Sequence, residues 1–139
     1  MNRTKTATRI LSVLASLTAC SGGVTREEAR GAMDALLAAL GNEDYAEAAA
    51  LYHPDAAMTE ELLAAFAEQV KTKVGIDLTE GAVVEKITGM SSSYYDSNVD
   101  GSRYALTARI KAGDKTADLT VEVIRNDRGY GIFQVECNP

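Results

Sequence analysis

At Gly81 the spacing of apolar residues changes from a helical repeat to alternation, and no other feature of these 139 residues constrains the fold as much. Before it, Ala29, Met33, Leu36, Leu37 and Leu40 recur three and four positions apart, as on one face of an α-helix. After it, Tyr104, Leu106, Ala108 and Ile110 alternate with Arg103, Thr107, Arg109 and Lys111. Ala117, Leu119, Val121 and Val123 then alternate with Asp118, Thr120 and Glu122. A period of two with one apolar and one polar side marks half-buried antiparallel strands. Helices first and strands afterward predict an α+β domain, with N-terminal helices packed on one face of a curved antiparallel sheet of about four strands.

Local signals place the elements. Thr25-Arg26-Glu27-Glu28 reads as a capping box, with Thr25 at the N-cap and Glu28 at N3. The helix it opens runs to Leu40, and Gly41 supplies a stop. Asn42 is placed to cap a second helix through about Tyr52, which turns Tyr45, Ala48, Ala49 and Tyr52 inward. That helix ends at His53, because a residue before proline is pushed out of the α region. Thr59 caps a third helix, Met58 and Leu63 fit its hydrophobic staple, and Gly75 ends it. Residues near 82–90 form a first strand, Gly113-Asp114 and Asn126 to Gly129 turn the chain, and Tyr130 to Cys137 form the last strand. Leu36, Leu37, Leu63, Phe66, Leu106, Leu119 and Val121 are the expected core.

The start of the chain speaks of address. Arg3, Lys5 and Arg9 precede a run of mostly apolar residues, Ile10 to Ala19, which is far short of the roughly 20 apolar residues that span a bilayer. A basic start, a brief apolar stretch and small residues before a cut describe an export signal. Leu17-Thr18-Ala19-Cys20 resembles the lipobox of bacterial lipoproteins. That resemblance implies removal of residues 1–19, a diacylglyceryl group on the sulfur of Cys20, a lipidated tether over 20–24 and a single domain over 25–139. It further implies anchorage to the bacterial cell membrane or the outer membrane. Two acyl chains hold a protein there, where one gives only marginal binding.

Charge narrows the partners. The chain has 14 basic and 20 acidic residues; loss of Arg3, Lys5 and Arg9 with the leader leaves a formal −9. Nucleic acid requires a basic footprint, and this balance argues against it. If Cys20 is acylated, Cys137 has no partner for an internal disulfide and reads as a small apolar residue of the last strand. Asp96-Ser97-Asn98-Val99-Asp100-Gly101 reproduces the first half of a calcium loop. The position for the bidentate acid holds Thr107, within an expected strand, so the stretch is expected to form a metal-free hairpin turn. No phosphate loop, serine elbow or Cys/His cluster is present, and no metal or cofactor is expected.

The order of elements, the Gly41-Asn42-Glu43-Asp44-Tyr45-Ala46-Glu47-Ala48 corner and the ending Asn126-Asp127-Arg128-Gly129-Tyr130-Gly131-Ile132 resemble the nuclear transport factor 2-like, or cystatin-like cone, superfamily and its small bacterial lipoproteins. Enzymes of that superfamily place Asp, His or Tyr inside the cone as acid and base. His53, the only histidine, sits at a helix end, where a surface or C-terminal capping role is commoner. Tyr94 and Tyr95 read as strand or sheet-edge packing, and Glu27/Glu28 and Glu60/Glu61 as first-turn acids that the helix dipole explains. The expectation is a membrane-anchored envelope lipoprotein with a non-catalytic domain that binds a small apolar ligand or a protein. The alternatives are a cone-fold isomerase or dehydratase with a small hydrophobic substrate, and a cystatin-like inhibitor or immunity-type partner.

Overall fold

Thr25 opens the first helix by closing the capping box expected of it. Its hydroxyl accepts the Glu28 amide at 3.1 Å, and the Glu28 carboxylate accepts the Thr25 amide at 2.9 Å. The structure, a computed structural model, describes residues 23–94 and 101–139. Helix α1 spans Arg26–Gly41, α2 Tyr45–Ala50 and α3 Glu60–Gln69, followed by strands β1 Val83–Tyr94, β2 Ser102–Ala112, β3 Lys115–Asn126 and β4 Gly129–Asn138. None of these helices is long and apolar enough to cross a membrane.

Two helix boundaries differ from expectation. Asp44, not Asn42, caps α2, its carboxylate accepting the Glu47 amide at 3.1 Å. Asn42 instead closes α1, and the left-handed turn falls on Glu43 at φ 55°. Gly41 remains helical; a Cβ there would lie 3.3 Å from the Leu78 carbonyl, so its glycine serves a close approach of chains. The end of α3 also changes character, widening into a π turn over Val70–Val74 whose bond runs from the Gly75 amide to the Val70 carbonyl. Thr72 donates its hydroxyl back to the Glu68 carbonyl at 3.0 Å, a competing bond of the kind that loosens helices.

The four strands form an antiparallel meander in the order β1-β2-β3-β4. Its inner face carries Leu106, Ala108 and Ile110 of β2 against Val121, Leu119 and Ala117 of β3 in register, all buried. Ala29, Met33, Leu36, Leu37 and Leu40 of α1 are buried in the same core cluster. The outer face is polar, with Arg103–Glu122 and Arg109–Asp118 ion pairs and a Thr107–Thr120 hydroxyl bond at 2.8 Å across β2 and β3. Cross-strand pairs of this kind stabilise a wet face by fractions of a kcal/mol each.

Strand β1 is longer than expected and irregular. Extra residues at Glu85 and Thr88 shift its register, so that Val84, Ile87 and Met90, three apart in sequence, face Ile110, Ala108 and Leu106. These bulges bend the free edge of the sheet, which also carries Glu85 and Lys86. Both devices discourage pairing with another strand. At the other edge, helix α3 leaves Leu63 buried but Phe66 only half-buried, a correction to the expected core.

Gly23 and Val24 join the sheet before α1 begins. The Val24 amide donates to Ser102 Oγ at 2.8 Å, Arg125 donates to the Gly23 carbonyl, and Val24 itself is buried. Gly23 and Val24 are therefore held against the sheet, although the sequence reads them as tether. Arg125 makes a bidentate pair with Glu28 and lies 4.6 Å over the Tyr130 ring. Burial raises the pKa of Glu28, but hydrogen bonds from Arg125 and Thr25, with the Arg125 charge, outweigh it and leave the value lowered. A carboxyl depressed in the folded state contributes stability above its unfolded value, about 4.3 for Glu. That contribution is lost as pH falls through the lower folded value. Acid titration of unfolding should show the wild type losing about 1 kcal/mol of stability as pH falls from 5 that Glu28→Gln does not lose; parallel curves for the two proteins would contradict the pairing.

Candidate functional site

A strap of three residues, Leu51 to His53, builds a tightly bonded corner against β4. Leu51 ends α2 and the chain runs extended along the edge of β4 away from β3, with Tyr52 bridging Ile132 in parallel. The His53 amide donates to the Ile132 carbonyl at 2.8 Å, and the Ile132 amide donates to the Leu51 carbonyl at 2.9 Å. The strap covers a strand edge that would otherwise offer unpaired groups. It can lie this close because position 131 is glycine.

His53 is 1 % exposed, not on the surface, and it starts a 3-10 turn over Pro54–Ala56 instead of capping a helix C-terminus. Its Nδ1 accepts the Asp55 amide at 2.9 Å. That bond requires a bare Nδ1, so the ring proton sits on Nε2 and is donated to Asn126 Oδ1, also at 2.9 Å. The same oxygen accepts the Arg128 amide at 3.0 Å. Outside this shell Arg128 donates to Asp55 at 2.6 Å. That bond, helped by the Arg128 charge, outweighs desolvation and holds the Asp55 carboxyl below the usual range. Both nitrogens of His53 are thus committed, and a proton could be exchanged only by breaking one of these bonds.

The other side of the strap borders an open groove of about 200 Å³. Met58, Leu63 and Phe66 line it from the helical side and Phe133 and Val135 from β4, with Tyr52 and Gln134 as its polar members. The staple residues foreseen from the sequence, Met58 and Leu63, thus serve as groove wall. Phe133 is the extra residue at a register shift between β3 and β4, and bulges re-aim side chains in this way. Ala57, in the left-handed region at φ 50°, turns the chain just before Met58. Burial pushes the Tyr52 hydroxyl up to about 12, so it stays protonated and can only donate or accept a hydrogen bond.

No protein-family model, curated protein or solved structure matches this chain. The chemistry of the strap corner and the groove therefore rests on the residues themselves. The corner is closed and structural in character, whereas the groove is open, uncharged and apolar, the usual make-up of a binding surface.

The remaining sequence candidates fall elsewhere. Cys20, Tyr95 and the calcium-like positions Asp96 to Asp100 lie outside the described residues. Thr107 sits in β2, bonded to Thr120. Glu27 is exposed in the first turn of α1, Glu28 is committed to Arg125, and Glu60 and Glu61 are exposed in the first turn of α3. Cys137 is half-buried against the core, and burial, with the nearby Asp118 carboxylate, pushes its thiol up to about 11, far from the thiolate needed for reactivity. Among the described residues no three His, Cys, Asp or Glu side chains gather as metal ligands. A larger groove, about 380 Å³, runs along α1, but Arg26, Glu27, Arg30 and Asp34 line it with Gly31, and Ile87 is its one apolar side chain. It is a solvated charged face. Sequence reasoning missed the strap, and the available signal was Gly131, since glycine inside a strand often marks a close backbone approach.

Proposed function

We propose that this chain is a bacterial envelope lipoprotein, anchored through a diacylglyceryl group on Cys20, whose folded part is a non-catalytic binding domain. The anchor reading stands on the basic start, the short apolar run and the Leu17-Thr18-Ala19-Cys20 ending. The binding reading stands on one observation above the others: the sole histidine is buried with both nitrogens engaged, while the open apolar groove beside it holds no charged lining group. A cone-fold enzyme would need ionisable groups with shifted pKa values converging in that groove. There the only titratable side chain is Tyr52, which burial keeps in its neutral, protonated form. A curved four-stranded meander packed on α1 supports kinship with nuclear transport factor 2-like proteins.

The anchor is tested by Cys20→Ser. Intact-mass analysis and membrane fractionation should find the wild-type chain cut before Cys20 and diacylated in the membrane fraction. The variant should be an uncleaved precursor or a released protein with an unchanged fold. An unmodified Cys20 in membrane-bound wild-type protein would overturn the assignment.

A further inference from the structure

We infer that the open half of the β4 edge, Gln134 to Asn138, binds an extended peptide segment as a fifth strand and selects an apolar–basic–apolar pattern; this rests on the binding reading proposed above and not on the anchor. The register dictates which backbone groups stand free. The turn between β2 and β3 is closed by Ala112 and Lys115. Alternation from that bonded pair turns the backbone of Ala117, Leu119 and Val121 toward β2, and that of Asp118, Thr120 and Glu122 toward β4. Their partners in β4 are Asn138, Glu136 and Gln134. The amides and carbonyls of Val135 and Cys137 therefore point off the sheet, and none of them has a backbone partner among the described residues. The strap occupies the same edge only as far as Ile132. There the 3-10 turn at Pro54, which has no amide to donate, takes the chain out of line. A new strand can start where the strap stops.

The two faces of the edge specify the side chains. Val135 and Cys137 point inward against the core, and the groove of Met58, Phe66 and Phe133 opens beside Val135. On a strand laid along this edge in either direction, the residue beside Glu136 shares its outer face, and its two neighbours point to the groove side. Those neighbours meet apolar walls. Glu136 is exposed and has no ion pair among the described residues, whereas Arg103 and Arg109 of the outer face are paired with Glu122 and Asp118. Glu60, one turn before Leu63, is also exposed, and no basic side chain lines the groove. A Lys or Arg beside Glu136 complements this charge, since opposite charges across strands attract and like charges repel. The same rule disfavours a second copy of the chain. Antiparallel self-pairing that used both outward residues would set Val135 against Cys137 and Glu136 against itself, between domains of formal −9.

The test uses the full chain as isolated from its cells, held in phosphatidylcholine nanodiscs where it carries lipid. The probe is a fluorescein-labelled peptide, Gly-Thr-Val-Lys-Val-Thr-Gly, with two counterparts: one has Glu for Lys, the other N-methyl groups on its three central amides. The Lys peptide should bind about fivefold more tightly than the Glu peptide, and the N-methylated one should not bind. At saturation, hydrogen exchange of the Val135 and Cys137 amides should slow about tenfold or more, while Gln134 and Glu136, already bonded to β3, change little. Glu136→Lys, an exposed substitution, should reverse the preference between the Lys and Glu peptides. Equal affinity for those two, binding of the N-methylated peptide, or unprotected Val135 and Cys137 amides would each overturn the fifth strand. Absence of any peptide binding overturns it as well. Indole, followed through the side-chain signals of Met58 and Phe66, separates the two readings: shifts without peptide binding strike the fifth strand and leave the binding groove standing.

Discussion

Gly131→Ala should destabilise the domain by about 3–4 kcal/mol, although it adds a single methyl group in a strand. A Cβ at position 131 would lie 2.5 Å from the His53 nitrogen, 2.7 Å from the Tyr52 carbonyl carbon and 2.8 Å from the Leu51 oxygen. These are backbone atoms, so no side-chain rotation relieves the clash. The residue also sits at φ 156°, which side chains disfavour. Relief requires the strap to lift from β4, breaking the two bonds between Leu51, His53 and Ile132 and unsealing the edge. A loss of that size belongs to the few mechanisms that exceed the ordinary mutational range, and it is a large part of a stability of roughly 5–15 kcal/mol. Gly89→Ala is the control, because its Cβ would meet only Thr107 side-chain atoms at 3.7 and 4.0 Å, and that substitution should be near neutral. Urea unfolding of the two variants, with exchange rates for the His53 and Ile132 amides, measures both. A Gly131→Ala loss below about 1 kcal/mol would mean that the strap is not seated as described.

How much of this was legible beforehand depends on whether side chains or backbones carry the contact. The α1 stripe and the alternation in β2 and β3 are side-chain patterns, and Met33, Leu36, Leu106, Leu119 and Val121 are buried where those patterns put them. Thr25 and Thr59 cap as read, since capping is a local exchange between a hydroxyl and an amide two or three positions on. Strand β1 was hard to read because two bulges replace its alternation with a three-residue spacing, Val84, Ile87, Met90, which imitates a helix. The strap was hidden for a different reason. Its pairing joins the backbones of Leu51 and His53 to Ile132, eighty residues away, and leaves no periodicity in either segment. Proline predicted correctly that His53 would be extended, at φ −63° and ψ 143°, but conformation says nothing about burial. The groove was legible only as unrelated parts: a staple pair, a Phe66 assigned to the core and a tyrosine at a helix end. Its existence depends on the bulge at Phe133, which no local rule announces.

His53→Ala should cost about 3 kcal/mol, and His53→Asn about half of that, because the ring does two separable jobs. One is to accept the Asp55 amide at the start of the 3-10 turn. Asparagine can take over that job, being among the preferred residues where a side-chain oxygen must accept a first-turn amide. The other is to reach Asn126 from a position 1 % exposed, tying the strap to the β3–β4 turn. Asparagine is too short for it, and alanine does neither and leaves a cavity whose lining cannot fully collapse. Each lost bond is worth about 1 kcal/mol, and the missing ring accounts for the remainder. The ordering wild type, Asn, Ala in urea midpoint is the expected result of a structural pin. A histidine kept for proton transfer would behave otherwise, its removal costing little stability because catalytic groups are held at the expense of the fold. Equal stability of wild type and His53→Ala would return His53 to the list of catalytic candidates and reopen the enzymatic reading of the groove beside it.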